Sequence, residues 1–104
     1  MYAGDLEFAW DPRKSEANFT LRGFDFLFAA QIFVGATVER LDDRRDYGER
    51  RFVAVGMVED LCLTVVYTDR RKAPGSIKRR IISARLSSRK ERMVYEATAR
   101  KGHT

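Results

Sequence analysis

Three arginines lie in Val- and Ile-rich segments rather than in turns: Arg51, Arg80 and Arg85. A guanidinium is planar, stays protonated at any working pH and presents its N–H donors as a fork that can hold two oxygens of one phosphate. Arginines projected from adjacent strands are therefore candidates to clamp a phosphodiester and to neutralise the charge that develops as it reacts. Glu49 stands two residues before Arg51, placed either to accept a proton in such a reaction or simply to pair with the arginine. The charge distribution points to a phosphate-bearing partner. Residues 70–104 hold 12 Lys/Arg against 2 Asp/Glu, whereas residues 1–69 hold 8 against 13. Positive potential gathered into one third of a chain is the footprint of a protein that meets a polyanion, although basic runs also occur as plain solvated faces. Arg70, Arg71, Lys72, Lys78 and Arg79 read as an electrostatic funnel for such a backbone. Tyr67, just before them, can stack on an unpaired base or close the edge of the core.

Other chemistries find little support. Cys62 is the single cysteine, inside the apolar run Leu61 to Tyr67, so it reads as a buried, inert thiol and forms no internal disulfide. His103 is the only histidine and falls in a tail, residues 97–104, that reads as frayed, so neither a metal site nor a cofactor is expected. No apolar run approaches the roughly 20 residues a membrane span needs. Asp5 and Glu7 stand where a signal peptide would be cationic and then apolar, so the expected location is the cytoplasm.

The elements that would position these groups follow from local pattern. Leu6, Phe8 and Trp10 alternate as a short strand does. Asp11-Pro12 supplies an N-cap and a first-turn proline, and Gly23 a left-handed C-cap, which predicts a helix over 12–22. Asp25 caps a second helix whose apolar stripe is Phe26, Ala29, Ala30 and Phe33, ending near Gly35. Residues 37–41, 51–57 and 61–68 read as strands, the last two joined near Glu59-Asp60. Residues 69–76, with Pro74-Gly75, read as a basic turn, followed by a strand over 77–86 with Ile82, Ala84 and Leu86 on one face and Ile81, Ser83 and Arg85 on the other. Ser88-x-x-Glu91 is a capping box that opens a last helix to about Arg100. The 104 residues thus read as a single α+β domain: strand, two helices, four strands, helix.

These residues also carry a family resemblance. Trp10-Asp11-Pro12-x-Lys14-x-x-x-Asn18 with Gly23, Phe26 and Ala29 is followed in order by Glu49-x-Arg51-Phe52-Val53-Ala54-Val55-Gly56 and Val65-Val66-Tyr67-Thr68. Arg80-Ile81-Ile82-Ser83-Ala84-Arg85 and Arg89-x-Glu91-Arg92-x-x-Tyr95-Glu96 complete the set. From Phe8 to Glu96 the chain resembles the BrnT toxins, the toxic halves of bacterial type II toxin-antitoxin pairs. The resemblance implies a RelE-like fold, a small antiparallel sheet with two helices before it and one after. It implies a ribonuclease that blocks translation, acting on RNA free or on the ribosome. It also implies a BrnA antitoxin, a ribbon-helix-helix protein that covers the toxin and alone brings the pair to operator DNA.

Cleavage of RNA without a metal requires a deprotonated 2′-hydroxyl, a neutralised phosphorane and a protonated leaving oxygen. By this chemistry Arg51, Arg80 and Arg85 are candidate clamps, or else arginines that face water or pair with Glu49, and Glu49 or Lys14 is the candidate base; Lys14 is the lysine that the family pattern keeps, or else an ordinary solvated one. One departure stands out. The family commonly has Lys-His-Gly where this chain has Leu21-Arg22-Gly23. Arg22 cannot replace a proton-transferring histidine, but it can serve at a phosphate-binding position. The alternatives are a binding module of the same fold that grips RNA or the antitoxin without cleaving, and a purely structural partner of a DNA-binding protein.

Overall fold

The computed structural model describes the backbone of residues 5–101 and the side chains of residues 5–98. His103 lies outside the described residues. The alternating N-terminal residues form β1 (Asp5–Trp10), and the proline-started helix α1 (Pro12–Arg22) follows at once. The Asp11 carboxylate accepts from the Arg13 N–H, and Gly23 takes φ 86°, the left-handed conformation a β-carbon disfavours, while its N–H donates to the Phe19 carbonyl. The predicted second helix is cut short. α2 spans only Phe26–Ala29, capped by Asp25, before the chain tightens into a 3-10 turn over Ala30–Val34. Ile32-Phe33-Val34 is a β-branched and aromatic run with low helix preference, and the tighter turn buries Ile32 completely.

The remaining chain forms β2 (Val38–Leu41), β3 (Phe52–Val58), β4 (Leu61–Ala73), β5 (Ser76–Leu86) and α3 (Arg89–Lys101). One expectation is corrected here. Residues 69–73 are not a turn: β4 runs through them, and only Pro74-Gly75 turns the chain. Cross-strand partners outweigh the weak strand preference of charged residues, since Asp69 faces Arg79 and Arg70 faces Lys78 across the hairpin. The last helix, α3, reaches Lys101, and residues 102–104 of the expected tail lie outside the described residues.

The sheet has five strands in the order β1-β5-β4-β3-β2. It is mixed rather than antiparallel: β1 lies parallel to β5 from Asp5↔Ser76 to Trp10↔Ile81, and the other pairings are antiparallel. The parallel pair joins the two ends of the fold, so no local turn signal announces it. α1, α2 and the 3-10 turn cover one face, where Phe26, Ile32, Ala54, Leu63, Val65, Tyr67, Ile81 and Ala84 form the core. α3 lies across Val53 and Val55 on the other face. Gly56 permits the close approach of the 3-10 turn, because a β-carbon there would come within 2.9 Å of the Ile32 Cβ.

One irregularity decides where the arginines point. Val66 pairs with Ser83 but Tyr67 with Ile81, so Ile82 is an extra residue, a β-bulge, and both Ile81 and Ile82 are buried. Strict alternation would send Arg80 and Arg85 to opposite faces. With the bulge, Arg80 faces Thr68 and Arg85 faces Thr64, four positions apart on β4, so both project on the α3 side. The expected grouping of Ile81 with Arg85 is therefore corrected: Ile81 shares the core face with Ala84, and Arg85 shares the opposite face with Arg80.

Candidate functional site

On the α3 face of the sheet, Arg51 and Arg80 meet at Glu49. Arg51 Nε donates to Glu49 Oε2 at 3.0 Å, and Arg80 Nη2 lies 3.3 Å from Oε1 and 3.2 Å from Oε2. The Arg51 guanidinium also lies over the Tyr47 ring, 4.1 Å from its centroid. The hydrogen bond from Arg51, reinforced by the Arg80 charge, holds the Glu49 carboxyl below its ordinary range. A depressed pKa makes a weak base, so the geometry gives Glu49 the role of aligning two arginines.

Arg85 lies about 13 Å along the strand from Arg80, at roughly 3.3 Å per residue, with a different partner. Its Nη1 and Nη2 donate to Glu91 Oε1 and Oε2 at 2.8 and 2.9 Å. Past Ile81, β5 has no β1 residue beside it, and between this stretch and α1 opens a cavity of about 310 Å³. Lys14, Asn18, Leu21 and Arg22 line it from α1, and Ile82, Ser83, Ala84 and Arg85 from β5. Residues spaced three, four, seven and eight along a helix share a face, so Lys14 and Arg22 address the cavity together. Arg22 is steadied by Asn18: its Nη1 donates to Asn18 Oδ1 at 3.3 Å, and Asn18 Nδ2 in turn donates to the Phe24 carbonyl at 2.9 Å. The cavity therefore draws cations from two separate elements, the arrangement that binds a phosphate from several sides. A larger, mostly apolar cleft of about 440 Å³ beneath α3, lined by Val38, Val53, Val55, Val94 and Tyr95 and reached by Glu91, holds neither Lys14 nor Arg51, Arg80 or Arg85.

Two candidates prove to be structural. Tyr67 is buried, its ring stacked on Phe52, met edge-on by Phe33 and covered by the Arg79 guanidinium, 4.1 Å from its centroid. Its hydroxyl donates to Glu39, and burial together with that bond pushes its pKa well up. No ring face remains for a base, so the stacking role is corrected to a core role. Arg79 grips both oxygens of Asp69, at 2.8 and 2.9 Å, and lies over Phe33 and Tyr67, which leaves its side chain 15% exposed. It belongs to the packing of the hairpin rather than to a funnel. Arg70 and Arg71 are exposed on that hairpin, with Lys78 half-buried beside them. Lys72, the extra residue of a second register shift, pairs with Glu7 at 2.8 Å.

Sequence reasoning missed Glu91 as a site residue. Its capping function was legible and is present: Ser88 N donates to its Oε1 at 2.8 Å, and its own N–H donates to Ser88 Oγ at 3.2 Å. The second function required knowing that the bulge turns Arg85 toward α3. Among the described residues no helix is long and apolar enough to cross a membrane.

Comparison with known families gives one result. The sequence model of a family described as "Ribonuclease toxin, BrnT, of type II toxin-antitoxin system" matches residues 10–91. The matched span takes in β1's last residue, α1, the whole of β2 to β5 and the first turn of α3, and with them every residue placed above in the cavity and the Glu49 cluster. No curated protein matches the chain.

Proposed function

The chain belongs to the BrnT family of ribonuclease toxins from type II toxin-antitoxin systems, and we propose that it cleaves RNA at the cavity between α1 and β5. The observation that carries the reading is the meeting of Lys14, Arg22 and Arg85 around that one cavity. Arg22 and Arg85 stay protonated, so they supply charge to the phosphorane and no proton chemistry. Lys14 is the member of the three that can exchange a proton, which gives it the transfer between the 2′-hydroxyl, the phosphate and the leaving 5′-oxygen. Arg51 and Arg80, aligned by Glu49, hold a neighbouring phosphate, and Arg70, Arg71 and Lys78 attract the strand from further away. The reaction needs no metal. By its family the toxin has an antitoxin; we assign that role to a BrnA protein of the ribbon-helix-helix type, through which alone the pair contacts operator DNA. The whole chain acts as one RelE-like domain, in the cytoplasm, against RNA free or on the ribosome, and so stops translation.

A second reading is favoured by one observation: Glu49 is held in its charged, weakly basic form by Arg51 and Arg80. With Arg22 at the place where the family commonly has histidine, the chain would then bind RNA or antitoxin without cutting. Expression in a bacterial host, alone and with the antitoxin, separates the two when paired with purified protein and RNA. The cleavage reading expects growth arrest relieved by the antitoxin, RNA cut by the purified chain, and neither with Lys14→Ala or Arg85→Ala. Intact RNA at excess protein, with and without ribosomes, while filter binding persists, would establish the binding module instead.

A further inference from the structure

The hydrogen bonds around Arg85 divide its guanidinium into a held edge and an open one. A guanidinium carries five N–H donors in a fixed plane. Arg85 Nη1 and Nη2 each give one hydrogen to Glu91, at 2.8 and 2.9 Å, and Nη1 reaches the Leu86 carbonyl at 3.4 Å. Its Nε–H and the second Nη2 hydrogen meet no acceptor among the described residues, and these two lie side by side, the other fork by which an arginine holds an oxyanion.

The Glu91 carboxylate is itself fixed from four directions: both Arg85 nitrogens, the Ser88 N–H at 2.8 Å and the Thr64 hydroxyl at 3.1 Å. Thr64 is tied in turn to Ser87, 2.7 Å between hydroxyl oxygens. β4, β5 and the first turn of α3 thus converge on one carboxylate, and Glu91, with its side chain 18% exposed, has little freedom to move. We infer that Glu91 is the positioning residue for Arg85, holding the Nη1/Nη2 edge so that the Nε/Nη2 edge is presented to a phosphate in the α1–β5 cavity. The inference rests on the cavity being the cleavage site. It explains why α3, which gives the cavity no lining residue, should matter to the chemistry.

Single-turnover cleavage of a single-stranded RNA by the full chain tests it, with Arg85→Ala, Arg85→Lys, Glu91→Ala, Glu91→Gln and the double variant R85A/E91A. Glutamine keeps an oxygen for Ser88 and Thr64 but turns an N–H₂ toward Arg85, so Glu91→Gln should keep the fold at some cost in stability. The expected result is that it slows cleavage about 10- to 100-fold, less than the roughly 100- to 1,000-fold for losing a preorganised donor outright, with RNA affinity changed less than about threefold. Arg85→Lys, with no second edge, should be as slow as Arg85→Ala. Glu91→Ala should add nothing in the Arg85→Ala background, because the two act as one unit. A well-folded Glu91→Gln at full rate, or losses that multiply in the double variant while Arg85→Ala is slow, overturns the positioning role alone. Arg85→Ala at full rate overturns both this inference and the cleavage site it rests on.

Discussion

Arg79 and Arg85 differ in what their guanidinium groups remain free to do. Arg79 has both its fork and its flat face engaged, the fork by Asp69 and the face by Tyr67 and Phe33. Arg85 keeps a fork open beside the cavity. Replacing each with alanine should therefore give opposite outcomes. Arg79→Ala leaves Asp69 without its ion partner and two rings without a cover, so it should lower the free energy of unfolding in urea by about 1–3 kcal/mol without specifically reducing cleavage per folded molecule. Arg85→Ala should abolish cleavage with a smaller loss of stability. At this scale the sequence marks the cationic residues but cannot separate neighbours. Arg79 and Arg80 are adjacent and chemically identical, and only the register, Asp69 opposite one and Thr68 opposite the other, sends them to different faces with different work.

Among the elements, β5 shows both the reach of sequence reasoning and its limit. Its existence, the α1 caps and the α3 capping box were legible because each is written in a few adjacent residues. The parallel β1 and the bulge at Ile82 were not, since they depend on partners about 70 and 15 residues away in the chain, where no local pattern reaches. The candidate site inherits that limit: α1 and β5 were predicted separately, and nothing local indicated that Lys14 and Arg85 share a cavity. Because Ile82 is the extra residue, deleting it should leave Arg85 opposite Thr64 on the same face as Arg80, so the folded variant should still cleave in the same RNA assay. Gly56→Ala should destabilise by about 1–3 kcal/mol through its clash with the Ile32 Cβ, in thermal or urea unfolding. The anchoring of α3 has a pH dependence. Its hydrogen bond to Arg85, with those to Ser88 and Thr64, lowers the Glu91 carboxyl to about 2. An acid held below its unfolded value of about 4.3 stabilises the fold fully above that value, and the contribution is lost as pH falls through the folded one. The stability gap between the wild type and Glu91→Gln should accordingly be widest above about pH 5 and shrink toward pH 2, where protonated Glu91 loses the same charge.

For the molecule as a whole, the fold brings cations from both parts of the chain together around β5. The basic β4–β5 hairpin, Arg80 and Arg85 lie along the carboxyl-terminal strands with Arg51 beside them, and Glu49, Asp69 and Glu91 are each engaged with an arginine. RNA binding should therefore weaken steeply with salt, and each phosphate contact removed, as in Arg70→Ala, should reduce the log–log slope by about 0.7 on a single strand, whatever its sequence. The central claim is that Lys14, Arg22 and Arg85 hold the phosphodiester that is cut. Its most direct test is the single-turnover rate of cleavage of a single-stranded RNA in EDTA by the purified wild type, Lys14→Ala and Arg85→Ala. The account predicts cleavage by the wild type and a loss of about 100-fold or more in each folded variant. RNA left whole by the wild type, or cut at the wild-type rate by both variants, would contradict it.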